Sequence, residues 1–204
     1  MRLRFSVLAF GAVFGLALAT PAAAQNPQRH QWIHPPSNLP KAGHGSIKLD
    51  TLFEALKIAP DEDSAKAIEE RIWAVWVVSG SDTTNLLMTR VKAATDDKNY
   101  DLALKLLGAI IAINPKYIEA WNQRATIYYL KDDYGHALAD IREVLALEPR
   151  HFGAWSGLGL ILQDIGDDKH ALEAYRKALA IDPHLEHIPD VVKTLTEKVE
   201  GRDI

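Results

Sequence analysis

His136 opens the stretch HALADI, and His170 opens HALEAY 34 residues later. Imidazole is the side chain that changes charge nearest neutrality, so two histidines in one local setting are the first candidates for proton transfer. A general base has to come within about 3 Å of the proton it takes, directly or through one water. His184 and His187 form a second pair, and His30, His34 and His44 a third group. Zinc needs three or four ligands at fixed spacing, and neither group comes with a further ligand at such a spacing. Ser156 in AWSGLG, followed by glycine, superficially resembles a serine nucleophile. It lacks the Gly-x-Ser-x-Gly spacing and falls in a helical-period segment, not a strand-to-helix turn. The chain has no cysteine, so disulfides, thiolate metal sites and cysteine nucleophiles are excluded. Phosphate-binding loops and HExxH are absent as well. These residues point to a protein that is not an enzyme and carries no cofactor or resident metal. A carrier using His184 and His187 is the chemical alternative.

The elements that would position these residues repeat. Laying 118–151 over 152–185 puts Trp121 on Trp155, Ala125 on Gly159 and Ala137 on Ala171. Leu138 falls on Leu172, Ile141 on Tyr175, Leu147 on Ile181 and Pro149 on Pro183. One period earlier, Leu87, Ala103, Leu104, Ile113 and Pro115 hold the matching places. Within a unit the apolar residues recur at helical spacing in two runs. Asp133 is placed to cap the second run, Gly135 to loosen the link, and Pro149 to stop it. The small residues at 125, 159, 137 and 171 let the two helices approach closely, with Trp121 and Trp155 as wedges in the core. His136 and His170 then stand one residue before the small alanine, on successive units about 10 Å apart by helix-packing distances. That is too far for proton transfer between them, and they read as letters of the repeat.

The 34-residue unit, with W-x2-L-G-x2-Y, then A-x3-F, then P, resembles the tetratricopeptide repeat (TPR) family. Residues 152–185 match as Trp155, Leu158, Gly159, Ala171, Tyr175, Ala178 and Pro183, with Leu162 at the Tyr place. Residues 118–151 match as Trp121, Ala125, Tyr128, Ala137 and Pro149, with Arg124 where leucine is usual. Residues 84–117 keep Leu87, Tyr100, Ala103, Leu107 and Pro115. The resemblance implies an all-α TPR-type α-solenoid of about three helix-turn-helix repeats. It also implies a concave groove lined by the first helix of each unit. By register that groove offers Met88 and Lys92 (with Asn85 and Thr95), then Glu119, Asn122, Thr126 and Tyr129 (with Leu130), then Ser156, Leu160 and Gln163. In some family members lysines and asparagines at the fifth and ninth places grip a C-terminal carboxylate. Here only Lys92 and Asn122 suit that clamp.

The units need ends, because a stack of repeats buries a continuous core. Residues 48–82 read as an N-terminal helical hairpin, a degenerate repeat. Leu49, Leu52, Phe53 and Leu56 share one face of its first helix, and Pro60 ends that helix. Ile68, Ile72, Trp73, Val75 and Trp76 form the apolar side of the second. Repeats follow over 83–187. Residues 188–204 read as a capping helix and tail, with Val191, Val192, Leu195 and Val199 on its inner face.

The first 24 residues have the three parts of a secretory signal: Arg2 and Arg4, an apolar run over 5–19, and Ala22 to Ala24 before Gln25. The run is shorter than the roughly 20 residues of a membrane span. Residues 25–47, with Pro27, Pro35, Pro36 and Pro40, read as a disordered Pro-rich linker with Trp32 and Ile33 as its apolar anchors. Cleavage removes two bases and no acid, taking the formal charge from −4 to −6. A mildly acidic chain is not built to hold nucleic acid, and stable membrane insertion is not expected after cleavage. The layout is similar to small periplasmic TPR proteins of alphaproteobacterial cell envelopes. The expectation is an exported scaffold or adaptor of the periplasm, serving cell-envelope assembly or integrity. It would bind a protein or peptide in the groove, with self-association as a further outcome. The alternative is a subunit of an envelope assembly, secretion or cytochrome-maturation complex.

Overall fold

The computed structural model describes residues 49–201, together with Pro36. The expected signal sequence at 1–24, the Pro-rich segment at 25–47 (Pro36 apart) and tail residues 202–204 lie outside the described residues. Among the described residues every regular element is an α-helix. In chain order these are α1 (Leu49–Lys57), α2 (Glu62–Trp76), α3 (Asp82–Asp96), α4 (Tyr100–Ile113) and α5 (Ile118–Leu130). Then come α6 (Tyr134–Leu147), α7 (Phe152–Asp164), α8 (Asp168–Ile181) and α9 (Ile188–Val199). The pairs α3–α4, α5–α6 and α7–α8 are antiparallel hairpins. Each packs on the next through α4–α5 and α6–α7, and α9 covers α8. This is an α-solenoid of three units with a capping helix.

The turn inside each unit explains why the chain folds this way. Lys98, Asp132 and Gly166 stand at one register position, and all three have a left-handed backbone, with φ of 56°, 57° and 85°. The next residue in each unit is Asn99, Asp133 or Asp167. Each accepts a hydrogen bond at its side chain from the backbone N–H three residues on, closing the N-terminus of the second helix. Its own N–H donates back across the turn, to the carbonyls of Ala94, Tyr128 and Leu162 at 2.7, 2.9 and 2.8 Å. The worn first unit therefore turns as the two better-matching units do. The positive φ falls at Asp132, so the glycine expected to loosen the link, Gly135, lies inside α6 instead.

Side-chain size is complementary within each pair of helices. A methyl group on Gly159 would stand 2.7 Å from the Tyr175 ring, well inside contact distance. In the preceding unit the same two places hold Ala125 and Ile141, both buried in one cluster. The smaller partner allows the extra methyl. Arg124, at the place where leucine is usual, reaches the buried Asp140 of α6 with two bonds of 2.7 Å. It also lies over the Trp121 ring at 4.9 Å. The tryptophans are half-buried clamps more than core wedges. Each indole N–H donates 2.9 Å to the proline carbonyl of the turn before its helix, Trp121 to Pro115 and Trp155 to Pro149.

The N-terminal hairpin does not continue the stack, and α2 makes no substantial packing with α3. It folds back along the edge where the first helices begin. Tyr117, His151 and Leu185 occupy one register position, just before α5, just before α7 and just ahead of α9. The Tyr117 hydroxyl donates to the Val77 carbonyl at 3.0 Å. His151 stacks on Trp76 with ring centres 4.1 Å apart, and Trp73 meets it edge-on. Leu185 shares a core cluster with Leu52, Phe53, Leu56, Ile72 and Trp73. The hairpin is pinned further by Arg150, bonded to Asp50 at 2.7 Å and lying over Phe53. His184 Nε2 lies 3.0 Å from the Ala59 carbonyl. Within α2, Ile72, Trp73 and Trp76 are buried as the apolar pattern requires, but Val75 is 39 % exposed and points outward.

Candidate binding groove

The first helices α3, α5 and α7 carry the nine expected groove residues, and the structure places them in three tiers. Met88 and Lys92 lie on α3 in the most open tier, where the exposed Lys92 ammonium pairs with Asp96 of its own helix at 2.7 Å. The middle tier, from α5, is closed to solvent: Glu119, Asn122, Thr126 and Tyr129 are all buried. In the third, from α7, Ser156 and Leu160 are buried and Gln163 is half-buried.

Much of the polar character of these residues is spent within the wall. Thr126 Oγ1 donates to the Asn122 carbonyl at 3.0 Å and Ser156 Oγ to the Phe152 carbonyl at 2.9 Å. On α3, Thr95 does the same with Val91 at 2.9 Å. Back-bonding of this kind satisfies the hydroxyl and leaves a smooth surface. Tyr129 Oη donates to Asp164 at 2.7 Å, tying α5 to the end of α7. Tyr175 Oη reaches Gln163 Oε1 at 3.3 Å.

Glu119 is the electrostatic centre of the wall. Its carboxyl is fully buried and receives the amides of Gln123 at 2.9 Å and Asn122 at 3.4 Å. Burial outweighs those two bonds and pushes its pKa up to about 7. Two amides offset only part of the cost of burying a charge.

The other candidates of the sequence lie elsewhere. His136 and His170 sit in the first turns of α6 and α8, on the capping Asp133 and Asp167 at 2.7 and 2.8 Å. Their hydrogen bonds lower the pKa of these aspartates. Ser156 lies inside α7 with its hydroxyl engaged. His184 faces Ala59, and His187 pairs with Glu186 at 3.3 Å. Among the described residues no group of three or more His, Asp or Glu side chains is placed to hold a metal ion. None of the described helices is long and apolar enough to cross a membrane.

Three features went unread in the sequence. One is the Arg124–Asp140 pair; an arginine in place of a core leucine was its signal. Another is the line of Tyr117, His151 and Leu185. The third is a pair of acidic groups, Glu69 of α2 and the buried Asp182 after α8: desolvation first, then the charge of Asp182, pushes the Glu69 pKa up to about 8. His151 is itself unusual. Its Nδ1 accepts the Ala154 N–H at 3.0 Å, so the ring proton sits on Nε2, which is buried without a hydrogen-bond partner. Burial drives its pKa down to about 3.

Comparison with known proteins agrees with this geometry. Residues 118–151 and 153–185 each match a family model described as tetratricopeptide repeat. A TPR repeat-containing protein of Rhizobium etli is 41 % identical over 94 residues, 46 % of each chain. The chain thus spans about half the length of that relative. Among solved structures, the Sgt2 TPR domain of Aspergillus fumigatus is 26 % identical. That match covers 59 % of this chain and 81 % of the domain, with a TM-score of 0.54. MamA is similar in fold at 19 % identity and TM-score 0.55, over 76 % of this chain and 82 % of MamA. So is the first TPR of Spaghetti, bound to an HSP90 peptide, at 16 % identity and TM-score 0.54, over 57 % of this chain and 93 % of the domain.

Proposed function

We propose that this tetratricopeptide-repeat protein works by binding, taking a peptide or a segment of another protein along the wall formed by α3, α5 and α7. The observation that carries the reading is the wall itself. Equivalent positions of three successive first helices carry Met88, Lys92, Glu119, Asn122, Thr126, Tyr129, Ser156, Leu160 and Gln163, of which Met88, Lys92 and Gln163 are open to solvent. A face built by repetition suits a ligand that is itself extended or helical, since each unit meets an equivalent stretch of it. The Spaghetti domain, which shares the fold, holds a peptide, and that is a precedent for the mode and not for the ligand.

The same proposal places the protein in the periplasm, as a scaffold in cell-envelope assembly or integrity. Arg2 and Arg4, the apolar run and Ala22 to Ala24 support export. Mass spectrometry of the protein from fractionated cells tests this directly. A chain starting at Gln25 in the periplasmic fraction is expected, and full-length chain in the cytoplasm overturns it.

The groove is tested by crosslinking in living cells, comparing wild type with an Asn122→Ala, Tyr129→Ala double variant whose helicity is checked by circular dichroism. Loss of one captured protein in the folded variant supports the groove. Retention of the same partners moves binding to another surface.

A further inference from the structure

We propose that the wall of α3, α5 and α7 has a resident ligand in its own chain: the proline-rich stretch at 27–40 lies along α7 and α5, anchored by Trp32 and Ile33, and an outside partner enters by displacing it. The proposal rests on the groove reading above and names what fills the groove first.

The wall is dry where open helix faces are expected. Among the described residues α5 packs on α4 and α6 behind it and on α7 beside it. The hairpin meets the wall where its helices begin, on Tyr117, His151 and Phe152. Thr126, Tyr129 and Leu160 lie about two to three turns further along, yet they are 1 %, 4 % and 2 % exposed. On α3 the equivalent places stay wetter: Lys92 is exposed, and Met88 and Thr95 are half-buried. Neighbouring first helices close part of this surface, and a cover over α5 and α7 that stops short of α3 closes the rest.

Position, length and charge fit the stretch to that place. Asp50, at the start of α1, is bonded at 2.7 Å to Arg150, two residues before α7. The chain ahead of Leu49 therefore departs beside the mouth of the α7 tier. Thirteen residues separate Pro36 from Leu49, and an extended chain of that length reaches about 40 Å at 3.1 Å per residue. The 13 residues of α5 or of α7 make a helix about 20 Å long, so the reach is ample. Pro36 is the residue of the stretch that the structure describes, and it is half-buried. Residues 25–47 carry Arg29 and Lys41 and no acid, whereas residues 48–204 carry 19 bases and 27 acids. The wall offers Glu119, with Asp164 at its far end, against a Lys92 already paired with Asp96. Pro27, Pro35, Pro36 and Pro40 favour an extended chain, which lowers the entropy lost on lying along a groove. Trp32 and Ile33 are the apolar side chains that suit Tyr129 and Leu160.

The chain has no cysteine, so Ser37→Cys takes a single nitroxide label in the protein as cells make it. Amide NMR signals of Thr126, Tyr129 and Leu160 should lose at least half their intensity. Those of Arg142 and Glu173, exposed on the second helices, should keep theirs. Adding Trp32→Ala and Ile33→Ala should reduce the loss at the wall at least threefold, with helicity unchanged by circular dichroism. The same double variant, crosslinked in cells, should capture at least threefold more of an outside partner. An undimmed wall, or dimming confined to another face, overturns the proposal. So does dimming that survives Trp32→Ala with Ile33→Ala. Isotope-labelled chains without nitroxide, mixed with unlabelled chains that carry it, test for a second copy, and dimming of the wall in that mixture overturns the intramolecular placement. The two readings fail differently. A dimmed wall with no partner captured by the double variant upholds the resident ligand and removes binding of another protein there. A partner captured at an undimmed wall does the reverse.

Discussion

At the scale of residues, the fold is set by a few places where one atom more or less decides the outcome. Gly159 is required because Tyr175 fills the space a methyl group would need. Gly159→Ala is expected to cost about 1–3 kcal/mol by overpacking. Tyr175→Ile in the same chain should recover part of it, since Ala125 and Ile141 coexist in the unit before. A double-mutant cycle by urea denaturation reads the coupling, and additive losses would refute it. Asp140 is nearly buried against Arg124. Arg124→Ala strands that carboxylate and should cost about 3 kcal/mol, whereas Arg124→Leu with Asp140→Leu should come close to wild type. Lys98 holds a left-handed backbone at φ 56°. Lys98→Gly should therefore gain up to about 1 kcal/mol, seen as a raised urea midpoint.

At the scale of elements, much was legible and one placement was not. The tandem matches of Trp121 with Trp155 and Pro149 with Pro183 predicted the helices of the last two units. Asp133 announced the start of α6, where its side chain caps the helix. The wall positions could be placed on α3, α5 and α7 by counting, though their burial could not be read. Whether Thr126 and Ser156 turn their hydroxyls inward depends on rotamers that spacing does not fix. The hairpin was the harder element. Its apolar side was visible in Ile72, Trp73 and Trp76, but its partners read as ordinary turn residues at 117, 151 and 185. Periodicity tells which face of a helix is buried and not against what. Trp76→Ala tests the placement. It should cost about 3–5 kcal/mol and restore solvent exposure at His151, seen as an imidazole that titrates nearer its ordinary range. An unchanged His151 titration would contradict the stacking.

At the scale of the whole molecule, opposed titrations set where the protein is most stable. His151 is held neutral, so stability falls as pH drops from about 6.5 toward about 3. The lowered carboxyls of Asp133 and Asp167 act in the same direction on the acid side. Glu119 and Glu69 have raised values, about 7 and about 8, so stability falls as pH rises from about 4.5 through those values. Urea denaturation across pH should find a maximum on the acid side of neutrality. Glu119→Gln should flatten the alkaline limb, and an optimum above pH 8 would refute the assignment.

Arrays of this architecture gain and lose members by tandem duplication, each copy fitting wherever its neighbours are alike. The α1–α2 hairpin, which meets residues 117, 151 and the loop at 184–185 through Val77, Trp76 and Ala59, withdraws that licence. A duplicate of 118–151 inserted in place would carry the loop of Asp182 and His184 one further step away, about 20 Å by helix diameters, beyond the reach of Glu69 and Ala59. A deletion would leave α2 overhanging. A change in the number of units therefore demands a matching change in the hairpin: it is a tally with three notches, and it fits three units.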